Sequence, residues 1–128
     1  MNGRRLRAGM SAIVALLALA GCDDGPRGPG KLEAIVAGEA LGGVLLQVDG
    51  PGIRSFSAHG DARVYASSDE VRPGRFRVIV ISPASGDLRF SIHVDDLDME
   101  APSVMVLQAT RADNRLVTPS AATVRIVR

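Results

Sequence analysis

Aromatic side chains are nearly absent from this sequence. Its 128 residues hold no Trp, one Tyr (Tyr65) and three Phe (Phe56, Phe76 and Phe90). A core built on stacked rings is excluded, so Val, Ile, Leu and Ala must fill the interior. Cysteine occurs once, at Cys22, which rules out a disulfide framework within the chain. Histidine occurs only at His59 and His93, too few and too far apart for the recognisable spacing of a zinc site. No apolar run approaches the roughly 20 residues a spanning helix needs. Excess basic charge is missing too. The formal +1 includes Arg4, Arg5 and Arg7, and removing those three from the 15 Lys and Arg leaves 12 against 14 Asp and Glu. That balance argues against the basic footprint of a nucleic-acid binder and gives no polybasic patch for anionic lipid.

What is present begins at the N-terminus. Arg4, Arg5 and Arg7 precede the apolar stretch MSAIVALLALA, residues 10–20, which is followed by Gly21 and Cys22. A basic segment, a short apolar segment and small residues before a cut are the layout of a secretory signal peptide. Leu19-Ala20-Gly21-Cys22 resembles the lipobox of bacterial lipoproteins. The resemblance implies that the chain is cut before Cys22, that Cys22 carries a diacylglycerol thioether, and that its new amino group is acylated. Two or three acyl chains anchor stably where one anchors marginally, at ~0.8 kcal/mol per buried methylene. Asp23 resembles the inner-membrane retention signal of enteric lipoproteins, and the Arg4-Arg5 pair fits a twin-arginine export motif poorly. The expected location is therefore the bacterial cell envelope, with the domain on the periplasmic or extracellular side.

Residues 22–30 follow as the lipidated Cys and a tether, DDGPRGPG, whose glycines and prolines can neither propagate a helix nor bury a core. From residue 31 to residue 128 the pattern has period two. In DLRFSIHVD, residues 87–95, Leu88, Phe90, Ile92 and Val94 fall on one face and Arg89, Ser91 and His93 on the other. Strict alternation of this kind marks a half-buried strand. RFRVIVI, residues 75–81, turns apolar on both faces, as a central strand would. Residues 123–128 place Val124 and Ile126 inward. Residues 32–37, 43–48, 62–67 and 103–109 are less regular strand candidates, separated by turn residues at 49–52, 59–61, 72–74, 85–87 and 112–114. Seven short strands and no helical period predict an all-β antiparallel sandwich. No Cys pair or core Trp of antibody-type domains is present. The order LLQVDGPGI, RVYASS, RFRVIVI, LRFSIHV, SVMVLQAT resembles cohesin-type β-sandwiches, domains of a kind that bacterial surface proteins carry. That resemblance spans about eighty residues and supplies no binding residues.

Motifs for chemistry are sparse. Asp96, Asp98 and Glu100 have the spacing that opens a helix-loop-helix calcium loop, but Ala101 and Leu107 stand where that loop needs Gly and a bidentate acid. The cluster Asp95, Asp96, Asp98 and Glu100 reads as a solvated strand end that discourages edge pairing, with a looser calcium site as the alternative. No Ser lies in a Gly-x-Ser-x-Gly elbow and no phosphate loop is present. A triad assembled in space from Ser, His and Asp is compatible with any such composition. For sugar stacking the available rings are Tyr65 and Phe56, with Phe76 and Phe90 assigned to the core. The expected function is a membrane-anchored, non-catalytic sandwich for protein interaction or assembly, without cofactor or metal. A carbohydrate-binding module is the alternative, and an envelope enzyme a more distant one.

Overall fold

The computed structural model describes residues 28–84 and 86–128. Cys22, the apolar stretch 10–20 and tether residues 23–27 lie outside the described residues. The chain forms β1 (Gly30–Ala37), β2 (Leu41–Asp49), β3 (Ile53–Ala58), β4 (Arg63–Ser68), β5 (Arg75–Ile81), β6 (Leu88–Val94), β7 (Ser103–Arg111), β8 (Leu116–Val117) and β9 (Thr123–Val127), with a single 3-10 turn at Pro119–Ala121. Two sheets result, ordered β3-β6-β1-β9 and β4-β5-β2-β7-β8, and every paired strand is antiparallel. This is a β-sandwich. Most consecutive strands lie in different sheets; only β4–β5 and β7–β8 are neighbours both in sequence and in a sheet.

The inward faces are the apolar halves of the alternating strands. Leu32, Ala34 and Val36 of β1, with Leu88, Phe90, Ile92 and Val94 of β6, face Val44, Leu46 and Val48 of β2 and Val78 and Val80 of β5, all of them buried. Each such side chain contributes about 1.5–3 kcal/mol relative to exposure. Phe56 meets Phe76 edge to face at 5.3 Å between centroids and lies 6.3 Å from Phe90, so the three rings form one cluster inside the sandwich. Among the described residues the core runs from Leu32 to Ile126.

The described residues form nine strands rather than seven. β3 is hidden in the sequence because its inward residues, Ile53 and Phe56, are three apart. The register explains the spacing: Ile53 stands opposite Val94 and Ser55 opposite His93, so Arg54 is an extra, unpaired residue, a β-bulge. β8 is two residues long and leaves no period to read. Gly30 opens β1, and Gly28 is already tied in: its amide donates to Asp96 Oδ1 (3.0 Å) and its carbonyl accepts from the Leu97 amide (2.9 Å). The end of the tether is thus part of the sheet. β5 is second from the edge rather than central. Its outward Ile79 and Ile81 are 42% and 47% exposed, so the doubly apolar pattern reflects an open apolar face.

Candidate functional site

Three cross-strand rows make the outer face of the five-stranded sheet. Tyr65 stands opposite Ile79, Ile79 opposite Leu45, and Leu45 opposite Gln108. On one side the row is Arg63, Ile81, Gly43 and Thr110; on the other it is Ser67, Arg77, Gln47 and Met105. Tyr65 and Met105 are more than half exposed. Apolar side chains from four different strands therefore share one solvent-facing patch, where a sandwich normally turns polar residues outward. Gly43 has no side chain between Ile81 and Thr110. A shallow depression of about 230 Å³ lies there, walled by Leu45, Ile79, Ile81, Gln108 and Thr110.

Arg63 and Arg77 flank the apolar row and make no ion pair among the described residues. Asp61 edges a neighbouring depression with Arg63 and Ile81. Asp49, also on this face, is already engaged. Arg75 Nε donates to its Oδ1 at 2.6 Å and Gln47 Nε2 to its Oδ2 at 3.0 Å. The Arg75 hydrogen bond, helped by Gln47 and opposed by partial burial, holds the Asp49 carboxyl below its ordinary value. Arg63 and Arg77 are left to act on whatever covers the patch.

The opposite outer face, on the four-stranded sheet, is polar. Ser57 and Ser91 are cross-strand partners. Ser57 Oγ lies 2.9 Å from His93 Nε2, and Ser91 Oγ lies 2.8 Å from His59 Nε2. Ser91 was expected to face out; it does point to the outer face, yet it is only 3% exposed. Hydroxyl–imidazole pairs are the start of a nucleophilic triad, which also needs an acid orienting the imidazole. Glu33, the carboxylate directly opposite Ser91 on β1, pairs instead with Arg89 at 3.3 Å. Among the described residues neither imidazole has a carboxylate partner.

The acidic cluster is largely structural. Asp95 pairs with Arg54 at 2.9 Å, and Asp96 Oδ1 accepts from the amides of Gly28 and Asp98 at 3.0 and 2.9 Å. Of the rings considered for sugar stacking, Tyr65 is exposed, whereas Phe56 is turned into the Phe76–Phe90 cluster. Sequence reasoning missed the outer patch because it assigned Ile79 and Ile81 to burial within a central strand. The available signal was the run VIVI itself, too apolar for a strand near a sheet edge. Cys22, the residue expected to carry lipid, lies outside the described residues. No protein-family model matches the sequence, and no curated protein or solved structure is significantly similar to it.

Proposed function

We propose that the chain is a lipid-anchored protein of the bacterial envelope that docks another protein on the outer face of its five-stranded sheet. The observation that carries the reading is the exposed Tyr65–Ile79–Leu45–Ile81 patch flanked by unpaired Arg63 and Arg77. Apolar contact area with unpaired arginines at its rim suits a partner surface that is apolar at its centre and acidic at its border. A second copy of the same face would set Arg63 and Arg77 against their own kind, which disfavours self-association through it. Covalent lipid on Cys22, followed by the tether to Gly30, supplies the location. The resemblance to cohesin-type domains points the same way. Sugar recognition is less well supported, since one exposed ring offers no stacking platform.

A photo-reactive amino acid placed at Ile79 in the full-length protein, expressed in a bacterial envelope, tests the docking face. We expect a discrete adduct with a different protein, lost when Arg63→Glu and Arg77→Glu are introduced together. The same probe at Arg125, on the other sheet, should give none. An adduct of twice the chain's mass, or one indifferent to the arginines, would overturn the reading.

A further inference from the structure

Where the chain enters the domain, the bulge in β3 has a second consequence. It sets two residues of β3, Arg54 and Ser55, against the single His93 of β6, and on the far side of His93 stands Lys31 of β1. Bulges redirect side chains and recur beside functional sites. Here the outcome is a depression of about 340 Å³ edged by Pro29, Gly30, Lys31, Arg54, His93 and Val94. Three nitrogen-bearing side chains from three adjacent strands thus line one hollow. Lys31 has no ion-pair partner among the described residues. Arg54 gives its Nε to Asp95, the one carboxylate bonded at this site, at 2.9 Å, and a guanidinium retains further donors beyond that one. His93 is held through Nε2 by Ser57, which fixes its ring against the strand.

The geometry points to a site for a phosphate monoester, either free or in a phosphatidic acid headgroup. A flat carboxylate is satisfied by two parallel donors, whereas Lys31, Arg54 and His93, set on three separate strands around one hollow, suit the compact three-oxygen anion of a monoester. The placement favours the headgroup. Seven residue steps separate Cys22 from Pro29, a reach of no more than about 25 Å at 3.3–3.6 Å per residue. With Cys22 acylated, the hollow stays within that distance of the bilayer surface. Only this choice of source rests on the lipid anchor; the chemistry of the site does not.

The test uses the chain from Asp23 to Arg128, which contains the core formed by the described residues. Imidazole resonances of His93 and His59 are followed by NMR during titration with glycerol 3-phosphate. Separate titrations use phosphatidylcholine vesicles with and without phosphatidic acid. The His93 ring should shift with glycerol 3-phosphate and with phosphatidic acid vesicles, while His59 stays still. Lys31→Ala and Arg54→Ala should each weaken the effect about tenfold, the loss expected for one charge-assisted contact, and Arg89→Ala on the same face should not. A shift with glycerol 3-phosphate but not with phosphatidic acid vesicles supports the site and overturns the headgroup as its source. A still His93 in every titration, or equal weakening by Arg89→Ala, overturns the site. A finding that Cys22 takes no fatty acid would remove the anchor and leave the titration result intact.

Discussion

Burial decides what each polar side chain on the four-stranded sheet is worth. His59 and His93 each bond one serine, at nearly equal distances. Ser91 is buried and Ser57 is exposed, so losing the imidazole strands one hydroxyl and merely hydrates the other. His59→Ala should cost about 1–3 kcal/mol, and His93→Ala less than about 1 kcal/mol. Urea melts of the residue 23–128 chain give both values, and the reverse order would show that the pairs are not what holds Ser91. Phe90, fully buried among Phe56 and its neighbours, should lose about 3–5 kcal/mol on replacement by Ala, a large part of a small domain's stability. Asp49 supplies a pH dependence. Its folded carboxyl lies below its unfolded value, so the Arg75 contact stabilises the protein above the ordinary carboxylate range and is lost as pH falls through the folded value. Because both groups are partly exposed, Arg75→Ala should cost about 1 kcal/mol or less near neutrality. That gap from wild type should close in acid, and a gap that widens as pH falls would contradict the assignment.

Among the strands, two bulges explain why some were legible and others were not. β6 alternates without interruption and can be read directly from the sequence, and β5 keeps a continuous inward phase through Phe76, Val78 and Val80. In β3 the extra Arg54 shifts the inward phase from Ile53 to Phe56. In β7 the register slips between Leu45 and Leu46 of β2, so that Val104 and Val106 are followed inward by Ala109 rather than by Gln108. A period-two reading fails at such a point although the strand continues. Turn glycines also divide by environment. Gly74 has φ +82°, and a Cβ there would sit 2.8 Å from the Gly50 carbonyl oxygen, whose residue also donates its amide to the Gly74 carbonyl. Gly60 has φ +57° with open space around it. Gly60→Ala should therefore cost only the left-handed penalty, about 1 kcal/mol, and Gly74→Ala at least about 2 kcal/mol, since backbone must move as well. Thermal or urea melts of the two variants side by side would expose an error in the loop packing if their order inverted.

For the molecule as a whole, the proposed function joins a lipid anchor at one end to a docking face on the domain. Cys22→Ser should abolish incorporation of labelled fatty acid and shift the protein out of the membrane fraction. Equal labelling of both forms would refute the lipid anchor. The two faces of the sandwich carry different chemistry, apolar with unpaired arginine on the five-stranded sheet and serine, histidine and ion pairs on the other. Charge reversal at Arg63 and Arg77 should thus alter partner capture and leave the phosphate-ester titration of His93 unchanged. Coupled loss of both would mean that the faces do not act independently.

By itself the sequence determined the fold class and the inward face of an uninterrupted strand such as β6. Side-chain alternation is a local property: a one-residue slip in β6 would bury Arg89 and His93, at a cost that leaves only one arrangement. It also determined that Leu88, Phe90, Ile92 and Val94 lie inside, as they do. Tertiary structure alone decided which strands are neighbours, because antiparallel pairing between sheets depends on where each crossover lands. That placement put Ile79 and Ile81 beside Tyr65 and Leu45, opened the hollow over Gly43, and brought Lys31, Arg54 and His93 from distant parts of the chain to one place. Those sites are sums over several strands, and no period along a single strand records them.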